Sequence, residues 1–329
     1  MEQLSLVNKQ SKIMKQKFVK DLQFKDRLTE ELFAVKSVKM GKTMDGRDYA
    51  DVMLSDKTGE VSGKLWDECL KQCGIPEVGA VLFVVGSVEE FREKQQIKFV
   101  TWKAAEESEF DLEDYIPRTA RDIEEMWSAV ESAIASLKNN HLRLLLNQFY
   151  QDKKFVKKFK NAPAAEVVHH AYLGGLLEHV WEMLEFSENV IKTYAAVDRD
   201  LLIAGILFHD IGKTEELGID HSIYRTIPGN LLGHIVQGLN MVSKAIESCE
   251  KFPKELGYEV LHLIASHHGR LEFGSPVLPM TLEAIALNYL DELSSKIRIV
   301  DKLLADNKES EADFTEHLRF MENRKIYLK

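Results

Sequence analysis

MDGRDYADVMLSDKTGEVSGKLWD, residues 44–67, sets two segments of period two between turn signals. Gly46 in MDGRD and Gly59 in DKTGE supply the Asp/Gly punctuation of tight turns. Between them DYADVMLSD alternates apolar and polar side chains, as a half-buried strand does. Working outward, ELFAVKSVKM precedes this stretch, and AVLFVVGSVEEF and QIKFVTWKA follow it, after a turn at Gly79. From Leu28 to Lys103 the period stays at two, and Val, Phe, Tyr and Trp are abundant. DECLKQC, between the third and fourth segments, is long enough for one or two helical turns.

Five strands with a short helix between the third and fourth are the element order of an OB-fold barrel. The quoted stretch also resembles OB-folds of the nucleic-acid-binding class. It has their turn, aromatic strand, Asp-x-x-Gly hairpin and third strand ending in Trp. In such barrels the second and third strands form the oligonucleotide face, which makes Arg47, Tyr49, Lys64 and Trp66 candidate contacts. The competing reading places Tyr49 and Trp66 inside the barrel as core fillers. Residues 25–104 carry 13 basic and 14 acidic side chains, so binding there leans on stacking more than on charge.

The 329 residues suit two domains, and 45% hydrophobic with 29% charged residues excludes wholesale disorder. No apolar run is long enough to span a bilayer, and MEQLSLVNKQSKIMKQKF lacks a signal-peptide core. Three cysteines cannot build a disulfide framework, so a reducing cytoplasm is expected. A net charge of −10 argues against global adhesion to nucleic acid while leaving room for a local basic surface. Residues 1–22 read as a charged helical segment, 23–104 as the barrel, and 105–118 as a linker. In that linker Glu106–Asp114 places six acids in nine positions, a solvated composition. Thr119 is positioned to cap a helix starting near Ala120, and residues 119–329 are helical in pattern throughout. Lys153, Lys154, Lys157, Lys158 and Lys160 form either a solvated helix face or a phosphate-backbone contact.

The chemistry sits in the helical half. His209-Asp210 ends the apolar helix AGILFHDIGK, where an unpaired carboxylate is costly to bury and a metal ion removes the cost. His179 closes YLGGLLEH, His234 lies inside LLGHIVQG, and His267-His268 ends VLHLIASHHG. Asp291 interrupts EAIALNYLDELSSKI. Seven side chains of metal-ligand type, on five apolar helices, suit two ions with a shared carboxylate better than one.

This ordered set, His, His-Asp, His, His-His, Asp, resembles the signature of the HD superfamily of metal-dependent phosphohydrolases. The resemblance implies one metal on His179, His209, Asp210 and Asp291. Asp210 would bridge to a second on His234, His267 and His268. An OB-fold joined to such a domain is similar to the YhaM family of bacterial 3′→5′ exoribonucleases, over residues 20–329. Supporting phrases are PAAEVVHHAYLGGLLEHV, SHHGRLEFGSPVLPMTLEAIALNYLDELSSKI and the closing DFTEHLRFMENRKIYLK. The HHG-x-x-E-F-G-S-P run argues against the cyclic-di-GMP branch of the superfamily.

The reading is therefore an α+β protein: a five-stranded OB barrel followed by an all-α HD domain. It would hydrolyse phosphodiesters by water activated between two cations, with Asp210 and Lys213 as catalytic residues. Lys213 follows the His-Asp pair by three residues and would reach a phosphate oxygen; its bland reading is a solvent-facing helix end. The resemblance implies manganese or cobalt and nucleoside 5′-monophosphate products; ligand chemistry alone also permits iron or zinc. Single-stranded RNA, or single-stranded DNA, is the expected partner, and no membrane is involved. His170 and Tyr172 are candidates for a supporting or substrate role, His169 is left undecided, and Gly174 and Gly175 for close helix approach. His262, His141, His221 and His317 are assigned to structure or surface. The rivals are an HD phosphohydrolase of small or cyclic nucleotides, and a non-catalytic single-strand-binding protein with a structural metal.

Overall fold

The computed structural model describes residues 15–91, 94–166, 170–220, 222–308 and 312–329. The chain parts into two units, 1–117 with 219–223, and 118–218 with 224–329.

The first unit is a closed barrel with strand order β1-β2-β3-β5-β4. Its strands are β1 (Arg27–Lys42), β2 (Asp48–Asp56), β3 (Gly59–Trp66), β4 (Val81–Phe91) and β5 (Lys94–Ala104). Helix α1 (Asp67–Cys73) links β3 to β4, the element order of an OB-fold. Closure needs one strand to serve two partners. β1 does so over 16 residues, pairing its C-terminal half with β2 and its N-terminal half with β4. Register shifts between Val35 and Ser37 and between Thr29 and Glu31 bend it around the corner. The alternation seen in the sequence becomes the wall of the barrel: Ala50, Val52 and Leu54 of β2 and Val61 and Leu65 of β3 point inward. β3 and β5 close the ring in parallel through Ser62–Lys64 and Gln96–Lys98.

Two sequence expectations change here. The acidic run is not a free linker, because Phe110 and Tyr115 bury their rings against Leu32, Ala34, Val81 and Phe83 of the barrel. Lys57 also pairs with Asp114 at 2.9 Å. Acidic composition hid two aromatic anchors, and the barrel unit extends to Pro117. Residues 1–14 of the expected N-terminal helix lie outside the described residues, and 15–22 hold only a 3-10 turn at Val19–Asp21. Lys15 is buried there, its ammonium 3.9 Å above the Phe33 ring and 3.3 Å from Asp56.

The second unit is helical: α2 (Ile123–Ala135), α3 (Asn140–Tyr150), α4 (Lys153–Asn161), α5 (Gly175–Thr193) and α6 (Arg199–Phe208). Then come α7 (Lys213–Glu216), α8 (Ile227–Ser248), α9 (Lys254–Ser266) and α10 (Leu282–Asp306). Between α7 and α8 the expected helical pattern gives way to two short paired strands, β6 (Leu217–Ile219) and β7 (Ile223–Arg225), of which 219–223 count with the first unit. Asp122, Asn139, Asp152, Asp198, Thr226 and Thr281 accept from first-turn N–H groups as N-caps. Asp122 thus takes the place expected of Thr119, whose hydroxyl instead donates to Glu178 at 2.5 Å. Apolar on every side from Leu201 to Phe208, α6 runs through the middle of the core. Among the described residues, no helix is long and apolar enough to cross a membrane.

Candidate metal centre and nucleic-acid face

Helix α6 is buried along its length, so whatever follows Phe208 is delivered into the interior. There His209 is fully buried and Asp210 only 2% exposed. The two oxygens of Asp210 face different histidines. Oδ2 lies 3.3 Å from Nε2 of His209 and 3.8 Å from Nε2 of His179. Oδ1 lies 3.5 Å from Nε2 of His234 and 3.6 Å from Nε2 of His267. His179 Nε2 is also 3.2 Å from Asp291 Oδ1. Ligand atoms therefore converge in two groups, His179 with His209 and Asp291, and His234 with His267 and His268. Asp210 stands between them.

Each imidazole is oriented from behind. Nδ1 of His209 faces the Ile206 carbonyl, that of His267 the Ile264 carbonyl, and that of His268 the Phe273 carbonyl, at 2.8, 2.8 and 2.7 Å. Nδ1 of His234 meets Glu216 at 3.0 Å, and Nδ1 of His179 meets Ser294 at 2.9 Å. With Nδ1 bound outward, Nε2 is the atom turned inward in all five rings, and Nε2 of His179 and of His209 lie 3.2 Å apart. Nε2 of His234, Nε2 of His267 and Oδ1 of Asp210 are buried with no hydrogen-bond partner among the described residues. Orphaned acceptors at this density fit a cation and little else.

Protonation agrees. Burial pushes His179, His234 and His267 below the usual imidazole range and His268 down to about 4, while nearby acids hold His209 up. Burial would raise Asp210, yet the Lys213 charge and His209 hold its carboxyl well below the ordinary range. Asp291 is lowered in the same way by His179. Neutral imidazoles and ionised carboxylates are the metal-binding forms.

Lys213 is 8% exposed, with its ammonium 2.5 Å from Asp210 Oδ2, so it is no solvent-facing helix end. It lines a pocket of about 550 Å³ together with His234, His268 and Asp291. Behind His179 lies a buried layer that sequence reasoning missed. Ser294 donates to Glu182 at 2.7 Å, and Arg298 bonds both Glu182 and Glu178. His170 belongs to this layer, 3.3 Å from Glu182, and Tyr172 donates to Glu178 at 2.9 Å. Gly175 lets the His170 turn approach, since a Cβ there would sit 2.0 Å from the His170 carbonyl oxygen. Of the other histidines, His262 accepts from the Met280 N–H at 2.9 Å, His141 packs on Phe252, and His317 is exposed. His169 and His221 lie outside the described residues.

On the barrel, Tyr49 and Trp66 face each other across β2 and β3, ring centroids 5.9 Å apart, and neither is a core filler. Trp66 is 41% exposed. The Lys64 ammonium lies 3.5 Å over Tyr49 and 5.4 Å from Trp66, steadied by Asp51 at 2.6 Å. Arg47 is not part of this cluster: it is tied to Asp45 in the β1–β2 turn at 2.5 Å.

The HD domain model matches residues 176–296, a span holding all seven converging ligands. The 3'-5' exoribonuclease YhaM of a Geobacillus species is 34% identical over 89% of this chain and 89% of its own. That of Bacillus subtilis is 33% identical over 91% of this chain and 94% of its own. The chain belongs to the YhaM family of 3'-5' exoribonucleases. YhaM of Bacillus licheniformis is 36% identical over 89% of this chain and 92% of its own. HD domains bind divalent metals, and this YhaM-family chain brings together two groups of side chains that could hold them. A domain of replication protein A from Methanococcus maripaludis aligns with 28% of this chain and 97% of its own, at 18% identity and a TM-score of 0.24.

Proposed function

We propose that this chain is a metal-dependent hydrolase that removes nucleotides from the 3′ end of single-stranded RNA as nucleoside 5′-monophosphates, using two divalent cations, manganese or cobalt. The observation that carries it is the split of Asp210, Oδ2 toward His179 and His209, Oδ1 toward His234 and His267. One carboxylate turned to two ligand groups is what a shared bridging ligand requires, and a purely structural site has no use for it. Cations held there would supply Lewis acidity toward a phosphate and an activated water.

The protein's own groups do the rest. Burial keeps His179, His234, His267 and His268 neutral with Nε2 inward, while His209, held up by Asp210, gives up its proton when a ligand binds. Lys213 brings a positive charge to the pocket wall, where it can move from Asp210 to a non-bridging phosphate oxygen. A pocket of about 550 Å³ is of the size that takes one nucleotide. The barrel contributes a ledge of Tyr49, Lys64 and Trp66 suited to stacking unpaired bases with little sequence preference.

The test is Asp210→Ala, assayed with manganese on matched RNA and DNA strands with product analysis. Hydrolysis should disappear in a folded variant, and wild type should release 5′-monophosphates from RNA. A variant retaining more than about a tenth of the wild-type rate overturns the bridging role, since losing even a supporting contact costs ~10–100-fold. Faster turnover of free or cyclic nucleotides than of RNA would favour a small-molecule phosphohydrolase.

A further inference from the structure

We infer that α4 carries a binding track for the phosphate backbone of the polynucleotide, leading to the catalytic pocket; this rests on the nuclease reading above. The helix KKFVKKFKN places five lysines in nine residues of a chain whose net charge is −10. Its own stability argues against that arrangement. Lys153 and Lys154 stand in the first turn, where the helix dipole disfavours cations. Lys153 with Lys157, and Lys154 with Lys158, are like charges four apart.

Packing explains only part of the run. Lys158 pairs with Glu215 at 2.8 Å and Lys160 with Glu124 at 2.7 Å. Lys153, Lys154 and Lys157 are exposed and have no acidic partner among the described residues. Lys153, Lys157 and Lys160 edge a groove of about 510 Å³ whose floor includes Trp127 and Tyr150. Both rings are about 95% buried and stacked on one another, so they offer no face to a base. With Lys153, Lys157 and Lys160 against the single acid Glu131, the groove has a cationic excess for phosphates and no stacking face for bases.

Its position gives it a purpose. Glu215, the partner of Lys158, lies in sequence between Lys213 and Glu216, which both line the catalytic pocket. The chain leaving α4 at Asn161 reaches the same wall at Ala164 and Ala165. A strand whose 3′ nucleotide occupies that pocket can lay the phosphates on its 5′ side along the exposed lysines.

The experiment compares wild type with the triple variant Lys153→Gln, Lys154→Gln, Lys157→Gln in the full chain. Binding of a long oligouridylate is followed by fluorescence anisotropy in EDTA, so turnover plays no part, over a salt series. Hydrolysis of oligouridylate and of bis-p-nitrophenyl phosphate is measured with manganese. Removing three lysine–phosphate pairs, at about 0.7 each, makes the salt slope shallower by about 2 and raises the oligouridylate KM roughly ten- to hundred-fold at about 0.1 M salt. The loss should be confined to the long strand. The triple Arg variant should bind like wild type, and the Gln variant should melt no lower, because it sheds like-charge repulsion. An unchanged slope and KM overturn the track. Absence of RNA hydrolysis by wild type would instead overturn the nuclease reading, and the slope comparison would still judge the track.

Discussion

Ser294 donates its hydroxyl proton to Glu182 at 2.7 Å, so it can meet Nδ1 of His179 only as an acceptor, at 2.9 Å. That fixes the proton of His179 on Nδ1 and its lone pair on Nε2, toward Asp210 and Asp291. Ser294→Ala should lower metal affinity in the His179 group by about 10–100-fold, with Ser294→Thr restoring it. Calorimetric titration with manganese measures this, and equal affinity in the Ala variant would remove Ser294 from the site.

Glu182 should make stability depend on pH in the acid range. Burial tends to raise its pKa, but hydrogen bonds from His170 and Ser294 and the charge of Arg298 hold it down to about 2 against the ordinary 4.5. A carboxyl depressed in the folded state contributes stability above its unfolded pKa and loses it as pH falls through the folded one. That contribution is on the order of 3 kcal/mol at neutral pH. Denaturant melts should therefore show wild type and Glu182→Gln far apart near neutrality and converging toward pH 2. A constant gap would mean that the carboxylate charge is not what Glu182 contributes.

Gly212 lets the His234–Gly238 backbone of α8 pack closely behind the His209-Asp210 turn. A Cβ there would lie 2.0 Å from the His234 carbonyl oxygen and 2.6 Å from the Gly238 nitrogen. Ala must push the start of α8 away and carry His234 from Asp210. Gly212→Ala should cost ~1–3 kcal/mol and bring metal content toward half of wild type, with the His179 group still loaded. Elemental analysis reporting full content would show that α8 adjusts without losing its ligand.

The seven side chains that converge were legible because each is a polar residue within or at the end of an apolar helix, and burial must then be explained. Glu178 and Glu182 met that criterion too, flanked by apolar residues in GLLEHVWEMLEF, but they are not part of the His and Asp pattern that marks the centre. Their neutralising partner, Arg298, is more than a hundred residues away and leaves no local signal. The strand alternation likewise gave β2 its bounds of Asp48–Asp56. It did not reveal that Phe110 and Tyr115 fasten the acidic run to the barrel, because two aromatics among six acids carry no period.

Trp66 tests the barrel ledge. It is the exposed ring of the cluster, held against Tyr49 at 5.9 Å and close to the Lys64 ammonium at 5.4 Å. Stacking on an aromatic side chain contributes ~1–3 kcal/mol per base, so Trp66→Ala should weaken binding of long single-stranded RNA by roughly five- to a hundred-fold. Stacking involves no counter-ion release, so the salt slope should stay at its wild-type value. Lys64→Gln should make the opposite pairing of effects, a smaller loss of affinity with a shallower slope. Neither change touches the metal ligands, so turnover of bis-p-nitrophenyl phosphate should be preserved. If Trp66→Ala left the KM for long RNA unchanged, the Tyr49–Trp66 ledge would not hold the strand, and the barrel would serve assembly instead.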